Sequence, residues 1–338
     1  MPSVTSGTVL VTGASGYIGT WIVKYLVEHG FSVVVAVRND QQGEFLETRF
    51  PEFKGKVTHV NITDISKEGA YDEAVKGVDA IIHSASPVVF SWEDPSEVVG
   101  PAVAGATGIL KSAHEFGTKV KRVVLTSSAV AIHNCDYDGE QKEERSWDET
   151  EWNDTGLNAP LTKTSSPWLV YNAAKVRAEK ASWDFVKEAK PAFDLVTILP
   201  SFNYGPYIHN VGKSLGSTPG MFLSTLPVGE TSGKLIGDWV DVRDSATLHV
   251  LALESETIGG ERLLSTNGLF AWQDLYDVLN ASGYDVAGKD TKGAGLKKQN
   301  TIMSNAKTFK YFPTFKYRTL EESVGDMAAE MKKSGFLA

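Results

Sequence analysis

The stretch TVLVTGASGYIG, from Thr8 to Gly19, decides the fold of this 338-residue chain. Its first five residues are apolar or β-branched, which predicts a buried strand. The glycines that follow are spaced G-x-x-G-x-x-G, and the apolar periodicity of Tyr17–His29 predicts a helix that ends at Gly30. A strand, a glycine-rich turn and a helix in this order are typical of a dinucleotide-binding sheet.

Each glycine of the turn has its own physical reason. Gly13 permits the tight turn, Gly16 lets a pyrophosphate approach the backbone, and Gly19 allows the helix to pack closely on the strand. The N–H groups and the dipole at the N-terminus of the helix would then bind the phosphates. The predicted phosphate-binding residues are Gly13, Ser15, Gly16, Tyr17, Ile18 and Gly19.

Short apolar segments alternate with helical ones over about the first 200 residues. Further strands are predicted at 31–37, 57–62, 79–83, 121–126 and 193–199, and helices at 66–76, 95–116 (kinked or restarted at Pro101) and 171–189. This alternation predicts an α/β fold, a Rossmann-type doubly wound parallel sheet. After Pro200 glycine and proline become frequent, which predicts a smaller, loop-rich C-terminal substrate lobe.

The length of the chain favours two domains. We predict an NADP-binding Rossmann domain at residues 1–200, to which 235–264 returns, and a substrate-binding lobe at 201–234 and 265–338. The returning segment has a strand-to-helix pattern at 239–254, with Asp241 as the candidate N-cap.

The composition excludes several classes of partner. A net charge of −9 disfavours nucleic acids and anionic membranes, and no apolar window reaches the ~20 residues of a membrane span. The single cysteine, Cys135, excludes an internal disulfide, and the seven histidines lack metal-ligand spacing, so we expect no metal. Because Met1–Gly7 lacks the features of a signal peptide, we expect a cytoplasmic protein.

Residues that follow the predicted strands indicate which cofactor binds. Arg38 comes directly after the second strand, where a guanidinium suits the 2′-phosphate of NADPH or NADP+ better than the ribose hydroxyl of NAD. Asp64 follows the third strand and either accepts from the adenine amino group, with Ile65 against the ring, or caps a turn. After the fourth strand, small residues would let the cofactor lie over the edge of the sheet: Ser84, Ala85 and Ser86.

The candidate catalytic residues come from the fifth strand and the helix after it. Thr126-Ser127-Ser128 ends the strand at the edge where open α/β sheets bind ligands. Tyr171 and Lys175 share one helix face. A cation about 4 Å from a phenol, at an effective dielectric constant near 20, would lower the phenol pKa by roughly three units. Tyr171 is therefore a candidate general acid–base, with Lys175 also holding the nicotinamide ribose.

Together these motifs resemble the extended short-chain dehydrogenase/reductases over residues 8–330. The segments that carry the resemblance are 8–19, 126–128, 171–175 and 239–244. Arg38 and the segments 83–87, 124–128 and 166–171 resemble the dihydroflavonol-reductase-like branch, and within it the fungal NADPH-dependent aldehyde and ketone (methylglyoxal-type) reductases.

The resemblance implies an activity and the residues for it. The implied reaction is hydride transfer from NADPH to a carbonyl, and the implied catalytic residues are Ser128, Tyr171 and Lys175. It also implies cofactor contacts at Thr126, Pro200 and Phe202. Plant members of the branch carry a lysine shortly after the arginine, whereas this chain has Asn39–Gly43 there, so we expect softer selectivity for NADPH.

The predicted substrate is a small carbonyl compound with hydrophobic or aryl flanks, bound between the sheet edge and the lobe. The predicted contacts are Val88, Phe90, Ser128, Val130, Tyr171, Phe202, Tyr204 and Phe222, and the alternative for the apolar ones is core packing. We expect a monomer or homodimer.

Two other functions use the same scaffold: an NAD-dependent nucleotide-sugar epimerase or dehydratase, and a non-catalytic dinucleotide sensor. Arg38 disfavours the first, and 200–240 offers a sugar diphosphate only Lys213 and Lys234 as cations. A sensor has no need of the Tyr171 phenol.

Overall fold

Residues 3–87, 92–133, 145–226, 236–284, 286 and 301–337 are described by a computed structural model of the chain. Two residues predicted to contact substrate, Val88 and Phe90, and the single cysteine, Cys135, lie outside these residues.

The strands, in chain order, are β1 (Thr8–Thr12), β2 (Ser32–Val37), β3 (Val57–Asn61), β4 (Ala80–His83), β5 (Arg122–Thr126), β6 (Arg145–Trp147), β7 (Asp194–Pro200), β8 (Phe202–Tyr204), β9 (Ile236–Asp241), β10 (Arg262–Ser265), β11 (Leu269–Ala271) and β12 (Thr301–Met303). The helices are α1 (Tyr17–Glu28), α2 (Asp40–Arg49), α3 (Ser96–Phe116), α4 (Asp154–Asn158), α5 (Pro167–Ala189), α6 (Ser217–Leu223), α7 (Val242–Glu254), α8 (Trp272–Ala281), α9 (Ala306–Tyr311) and α10 (Leu320–Lys333).

A seven-stranded sheet in the order β10-β7-β5-β4-β1-β2-β3 forms the centre of the first of two compact units. The pairs from β3 to β7 are parallel. The chain runs outward from β1 to β3 and then returns to β4 on the other side of β1, which confirms the predicted doubly wound sheet. Leu10, Ile81 and Val123 pack with α3 and α5 in one buried cluster.

The helical segments differ from the prediction in two respects. Residues 66–76 form successive turns rather than a helix, because Gly69 has a positive φ of 73° and most of the local hydrogen bonds span only three residues. Helix α2 was not predicted because it has no apolar stripe; among its residues only Gly43 and Leu46 are buried. Helix α3 continues through Pro101 as one helix, without the predicted restart.

The second unit comprises Cys135–Asp148, Pro200–Ser245 and Leu264–Ala338. It contains the small sheets β11-β9-β8 and β12-β6. Asp241 accepts from the backbone N of Arg243 at 2.7 Å, which confirms it as the cap of α7, and it accepts from the Ser323 hydroxyl at 2.6 Å.

The boundaries of the units differ from the predicted domain limits. Because β6 pairs with β12, residues 145–148 belong to the second unit, although they lie within the predicted domain 1–200. Residues 235–245, predicted to return to the Rossmann domain, also belong to the second unit, since β9 pairs with β8 and β11. In the described part of the chain, no helix combines the length and the apolar character needed to cross a bilayer.

A buried ion pair joins β5 to β7 in the first unit. The Arg122 guanidinium donates to both carboxylate oxygens of Asp194, at 2.7 and 2.8 Å. Its remaining nitrogen donates to the carbonyls of Ala252 and Ser255 at the C-terminal end of α7, at 2.6 and 2.5 Å. Since the Arg122 side chain is fully buried, this one residue connects three elements that are distant in sequence.

We expect Asp194→Asn to lower the free energy of unfolding by about 3–5 kcal/mol, because it leaves the buried Arg122 charge uncompensated. The matched control is Asp184→Asn, which breaks an exposed pair with Lys180 and should cost only about 0–1 kcal/mol. Urea unfolding measures both values. Equal losses in the two variants would contradict this account of the buried pair.

Candidate active site

The carboxyl ends of four strands lie along one edge of the large sheet. Thr12 of β1 is paired with Ala36 of β2 and with His83 of β4, and His83 is paired with Leu125 of β5. Parallel strands in this register bring the segments that follow them to the same edge. The glycine-rich turn, Arg38, Ser84 and the Thr126–Ser128 segment are therefore neighbours along that edge.

Steric contact explains two of the glycines in the turn. Gly13 has a φ of +67°, and a Cβ there would lie 2.7 Å from the backbone of both Ser84 and Ala85. A Cβ on Gly19 would lie 2.1 Å from the carbonyl oxygen of Gly13. The turn is thus packed backbone against backbone, as a site for close approach of a pyrophosphate requires.

The start of α1 is suited to an anion. Gly16 occupies the N-cap position without a side chain, and the first turn of the helix contains no acidic residue. Within this turn Ser15 and Ile18 are half-buried and Tyr17 is buried. The residues present therefore fit the phosphates of a dinucleotide, since the backbone N–H groups of a helix N-terminus bind anions.

Hydrogen bonds around Thr12 hold the segment after β4. The Thr12 Oγ1 lies 2.8 Å from Nδ1 of His83 and accepts from the backbone N of Ala85 at 3.1 Å. Burial, with the nearby Lys175 charge, lowers the pKa of His83 to about 3, so the ring is neutral. The half-buried Ser84, Ala85 and Ser86 follow this anchor.

Arg38 is exposed and lies immediately before α2. Its backbone N donates to Oε1 of Gln42 at 3.2 Å. The neighbouring Asp40 carboxylate accepts from Nδ2 of Asn61 and lies 3.4 Å from Nε2 of His59. The hydrogen bond from Asn61, followed by that from His59, lowers the pKa of Asp40, so this carboxylate is engaged on the side of β3.

Asp64 caps a turn in the structure. Its Oδ1 accepts from the backbone N of Ser66 at 2.9 Å and from the Ser66 hydroxyl at 2.6 Å, and these bonds lower its pKa. Ile65 packs partly buried against the core cluster beside α3. This geometry favours the turn-cap alternative for Asp64, and contacts of Asp64 and Ile65 with adenine stay predictions.

The two serines after β5 differ in their hydrogen bonds. The Ser127 hydroxyl donates to Oε2 of Glu179 at 2.6 Å and is buried. The Ser128 oxygen accepts from the backbone N of Val130 at 3.4 Å, and its hydroxyl hydrogen has no acceptor among the described residues. Ser128 therefore keeps a donor for a substrate, whereas Ser127 does not. Just before them, the Thr126 hydroxyl lies 2.8 Å from Nε2 of His249.

Helix α5 carries the other two candidate catalytic residues. It begins at Pro167 after the cap residue Ser166, so Tyr171 lies in its second turn, and the Tyr171 ring is edge-on to Trp168 at 6.2 Å. The turn Ala129–Ala131, which follows Ser128, packs against α5. Burial lowers the pKa of Lys175 to about 8, although the Glu179 carboxylate raises it, so the ammonium form still predominates at pH 7.

The predicted substrate and cofactor contacts beyond β7 belong to the second unit. Pro200 ends β7, and the half-buried Phe202 ring is edge-on to Phe270 at 5.7 Å. Tyr204 and Phe222 are fully buried and pack in that unit, so they expose no surface to a substrate there. In the first unit Val130 is nearly buried. The predicted substrate roles of Tyr204 and Phe222 would require this packing to open.

Sequence reasoning missed Glu179, which binds Ser127 and lies one helical turn after Lys175. The signal was present, because a glutamate four residues after a lysine shares its helix face. Within the described ranges, no group of three His, Cys, Asp or Glu side chains is arranged to hold a metal ion.

Comparison with known families agrees with this geometry. Residues 9–263 match the model of the NAD dependent epimerase/dehydratase family. The chain belongs to this family. The match starts in β1 and ends in β10, so it includes the glycine-rich turn, the serines after β5 and the helix that carries Tyr171 and Lys175.

Similar proteins within this family are fungal reductases. Aldehyde reductase 2 of Sporidiobolus salmonicolor is 33% identical, with 94% of each chain covered. A putative NADPH-dependent methylglyoxal reductase of Candida albicans is 32% identical, covering 97% of this chain and 99% of that protein. The crystal structure of a yeast methylglyoxal/isovaleraldehyde reductase complexed with NADPH superposes with a TM-score of 0.87 at 30% identity, covering 98% of this chain and 100% of the other. The resemblance inferred from the motifs is confirmed.

We expect Gly19→Ala to weaken binding of the dinucleotide at least about tenfold and to lower the melting temperature, because the new Cβ would collide with the Gly13 carbonyl. The control is Gly108→Ala in α3, where a Cβ meets no atom within 4 Å. It should raise the free energy of unfolding by about 0.5–1 kcal/mol and leave binding unchanged. Fluorescence titration with NADPH and thermal unfolding test both; normal binding by Gly19→Ala would refute the role of the turn.

Proposed function

We propose that this chain is an NADPH-dependent carbonyl reductase that reduces aldehydes and ketones to alcohols and, in reverse, oxidises those alcohols. The observation that carries the proposal is the state of Ser128. Its hydroxyl retains a hydrogen to donate, and the turn that follows it packs against the helix that carries Tyr171 and Lys175. The names of the fungal relatives support the same reaction class.

The residues that would hold NADPH lie on the edge already described. The turn Gly13–Gly19 would bind the pyrophosphate, and Arg38 the 2′-phosphate. The small residues after β4 and Thr126 would line the path to Lys175, which would hold the nicotinamide ribose. Pro200 and Phe202 stay predicted cofactor contacts. When bound there, NADPH supplies the hydride. Asn61 and His59 both contact Oδ1 of Asp40, on the side of β3, and Arg38 is the residue proposed to select NADPH over NADH.

The side chains of the proposed triad have separate roles. Ser128 donates a hydrogen bond to the carbonyl oxygen and so polarises the carbon. Tyr171 donates the proton to that oxygen as the negative charge develops. Lys175, one helical turn away and buried, lowers the pKa of the Tyr171 phenol through its positive charge. In alcohol oxidation the Tyr171 phenolate takes the proton from the alcohol and becomes the phenol again.

The substrate proposed is a small carbonyl compound with hydrophobic or aryl flanks. Phe202 and Val130 are apolar, and few cations are available in residues 200–240 for a sugar diphosphate. We also propose that the protein is cytoplasmic and is a monomer or a homodimer.

We expect Tyr171→Phe to lower kcat for carbonyl reduction at least about a hundredfold while the Kd of NADPH changes less than about twofold, because only the proton donor is lost. Tyr25→Phe, on α1, is the matched control and should keep full activity. Steady-state kinetics with a panel of aldehydes, α-diketones and aryl ketones measures kcat. Undiminished turnover by Tyr171→Phe would exclude the proposed acid.

We expect Arg38→Ala to weaken NADPH binding about tenfold or more and leave NADH binding unchanged, because a charge-assisted bond to the 2′-phosphate contributes about 1.5–3 kcal/mol. Arg49→Ala, at the other end of α2, is the control for loss of a cation and should not change selectivity. Titration with both cofactors gives the ratio of the two Kd values. An unchanged ratio in Arg38→Ala would contradict the assignment.

A further inference from the structure

A buried carboxylate, that of Glu179, lies close in the fold to the proposed catalytic residues. Glu179 is on α5, one turn after Lys175, and its side chain is fully buried. It accepts from the Ser127 hydroxyl at 2.6 Å, from the Thr197 hydroxyl at 2.8 Å and from Nε of Arg262 at 2.8 Å. A further contact from Nε1 of Trp183 is 3.3 Å long. Each oxygen of the carboxylate therefore has a donor.

Arg262 balances the charge of Glu179 and fixes its position. A second nitrogen of Arg262 donates to the carbonyls of Glu149 and Glu151, at 2.9 and 2.6 Å, and the guanidinium lies 3.8 Å from the centroid of the Trp152 ring. A guanidinium held by an acceptor on each side cannot rotate away without losing several bonds. Glu179 is thus a rigid acceptor rather than an adaptable one.

Ser127, the partner of Glu179 directly after β5, is next to the proposed catalytic serine. Adjacent residues of an extended segment point to opposite sides, and Ser128 has extended backbone angles, with φ −159° and ψ 152°. The Ser127 backbone N–H donates to the carbonyl of Ile198 at 2.7 Å, and the Ser127 hydroxyl donates to Glu179, so the two bonds together fix the direction in which Ser128 points. The same carboxylate lies on the helix face that presents Lys175, so one buried group connects both halves of the triad.

Thr197 provides an internal comparison. Its hydroxyl binds the same carboxylate and is fully buried, but it lies in the middle of β7, three residues before Pro200 and paired with Leu125 of β5. Loss of this hydroxyl should affect the network without changing the direction of Ser128.

We propose that Ser127 and Glu179 are a pair of positioning residues, whose buried hydrogen bond holds the end of β5 against α5 so that Ser128 and Tyr171 meet the same carbonyl oxygen. This inference rests on the proposed reductase function. It assigns Ser127 a role distinct from catalysis, and it makes Glu179 part of the active-site architecture although it does not touch the substrate.

The test compares Ser127→Ala with Thr197→Val, since each removes one hydroxyl from Glu179. We expect Ser127→Ala to lower kcat about ten- to a hundredfold, because a displacement of about 1 Å at a reacting group has effects of this size. KM for the carbonyl and the Kd of NADPH should change less than about threefold. Thr197→Val should keep kcat within about twofold of the wild type, with a similar loss of thermal stability.

Glu179→Gln, assayed well below its own melting temperature, should lower kcat at least as far as Ser127→Ala. An unchanged kcat in Ser127→Ala, or an equal fall of kcat in Thr197→Val, would overturn the positioning role. The proposed reductase function would still stand in either case, provided that the wild type reduces carbonyls and Tyr171→Phe does not. A wild-type protein that reduces no carbonyl with NADPH would instead overturn the proposed function and, with it, this inference.

Discussion

Parallel pairing of β1 with β2 and β4 is the constraint on which the rest of the site depends. It aligns Thr12, Ala36 and His83, and through His83 it aligns Leu125 of β5. Segments from distant parts of the sequence then share one edge, because parallel strands end on the same side. The backbone of the turn at Gly13 approaches that of Ser84 so closely that no side chain fits between them. Phosphate binding and catalysis therefore use a surface made by strand register.

Buried charged side chains also connect strands of the large sheet with the helices that pack on it. Arg122 joins β5, β7 and the end of α7, while Glu179 and Arg262 join α5, β5 and β10. Desolvation makes such groups costly, so they contribute less to net stability than their short distances suggest. Their stronger effect is on geometry, since each demands several partners in fixed positions. We infer that these fixed hydrogen bonds hold the strands and the helix of the site in a precise relative position.

Local patterns predicted much of the fold. Apolar periodicity and the positions of glycines predicted the strands β1, β2, β4 and β5 and the helix α1. The structure confirms these elements. Segment 66–76 has helical spacing but contains Gly69, whose positive φ interrupts a continuous helix at that position. Helix α2 lacks an apolar stripe and is stabilised instead by its cap at Asn39. Tyr204 and Phe222 matched a substrate pocket by composition, yet burial among other aromatic rings depends on tertiary packing.

By itself, the sequence determined the alternation of strands and helices, the position of the phosphate-binding turn and the helical pair Tyr171 and Lys175, because all three depend on neighbours within a few residues. Neighbouring residues of a strand face opposite sides, so Ser127 and Ser128 are not equivalent, but without the family resemblance the sequence does not select one of them. Only the tertiary structure shows which serine is already bonded. The Glu179 carboxylate, 52 residues after Ser127, accepts from the Ser127 hydroxyl, whereas the Ser128 hydroxyl remains able to donate. A contact of that range is created by packing α5 against the sheet, and no local pattern encodes it.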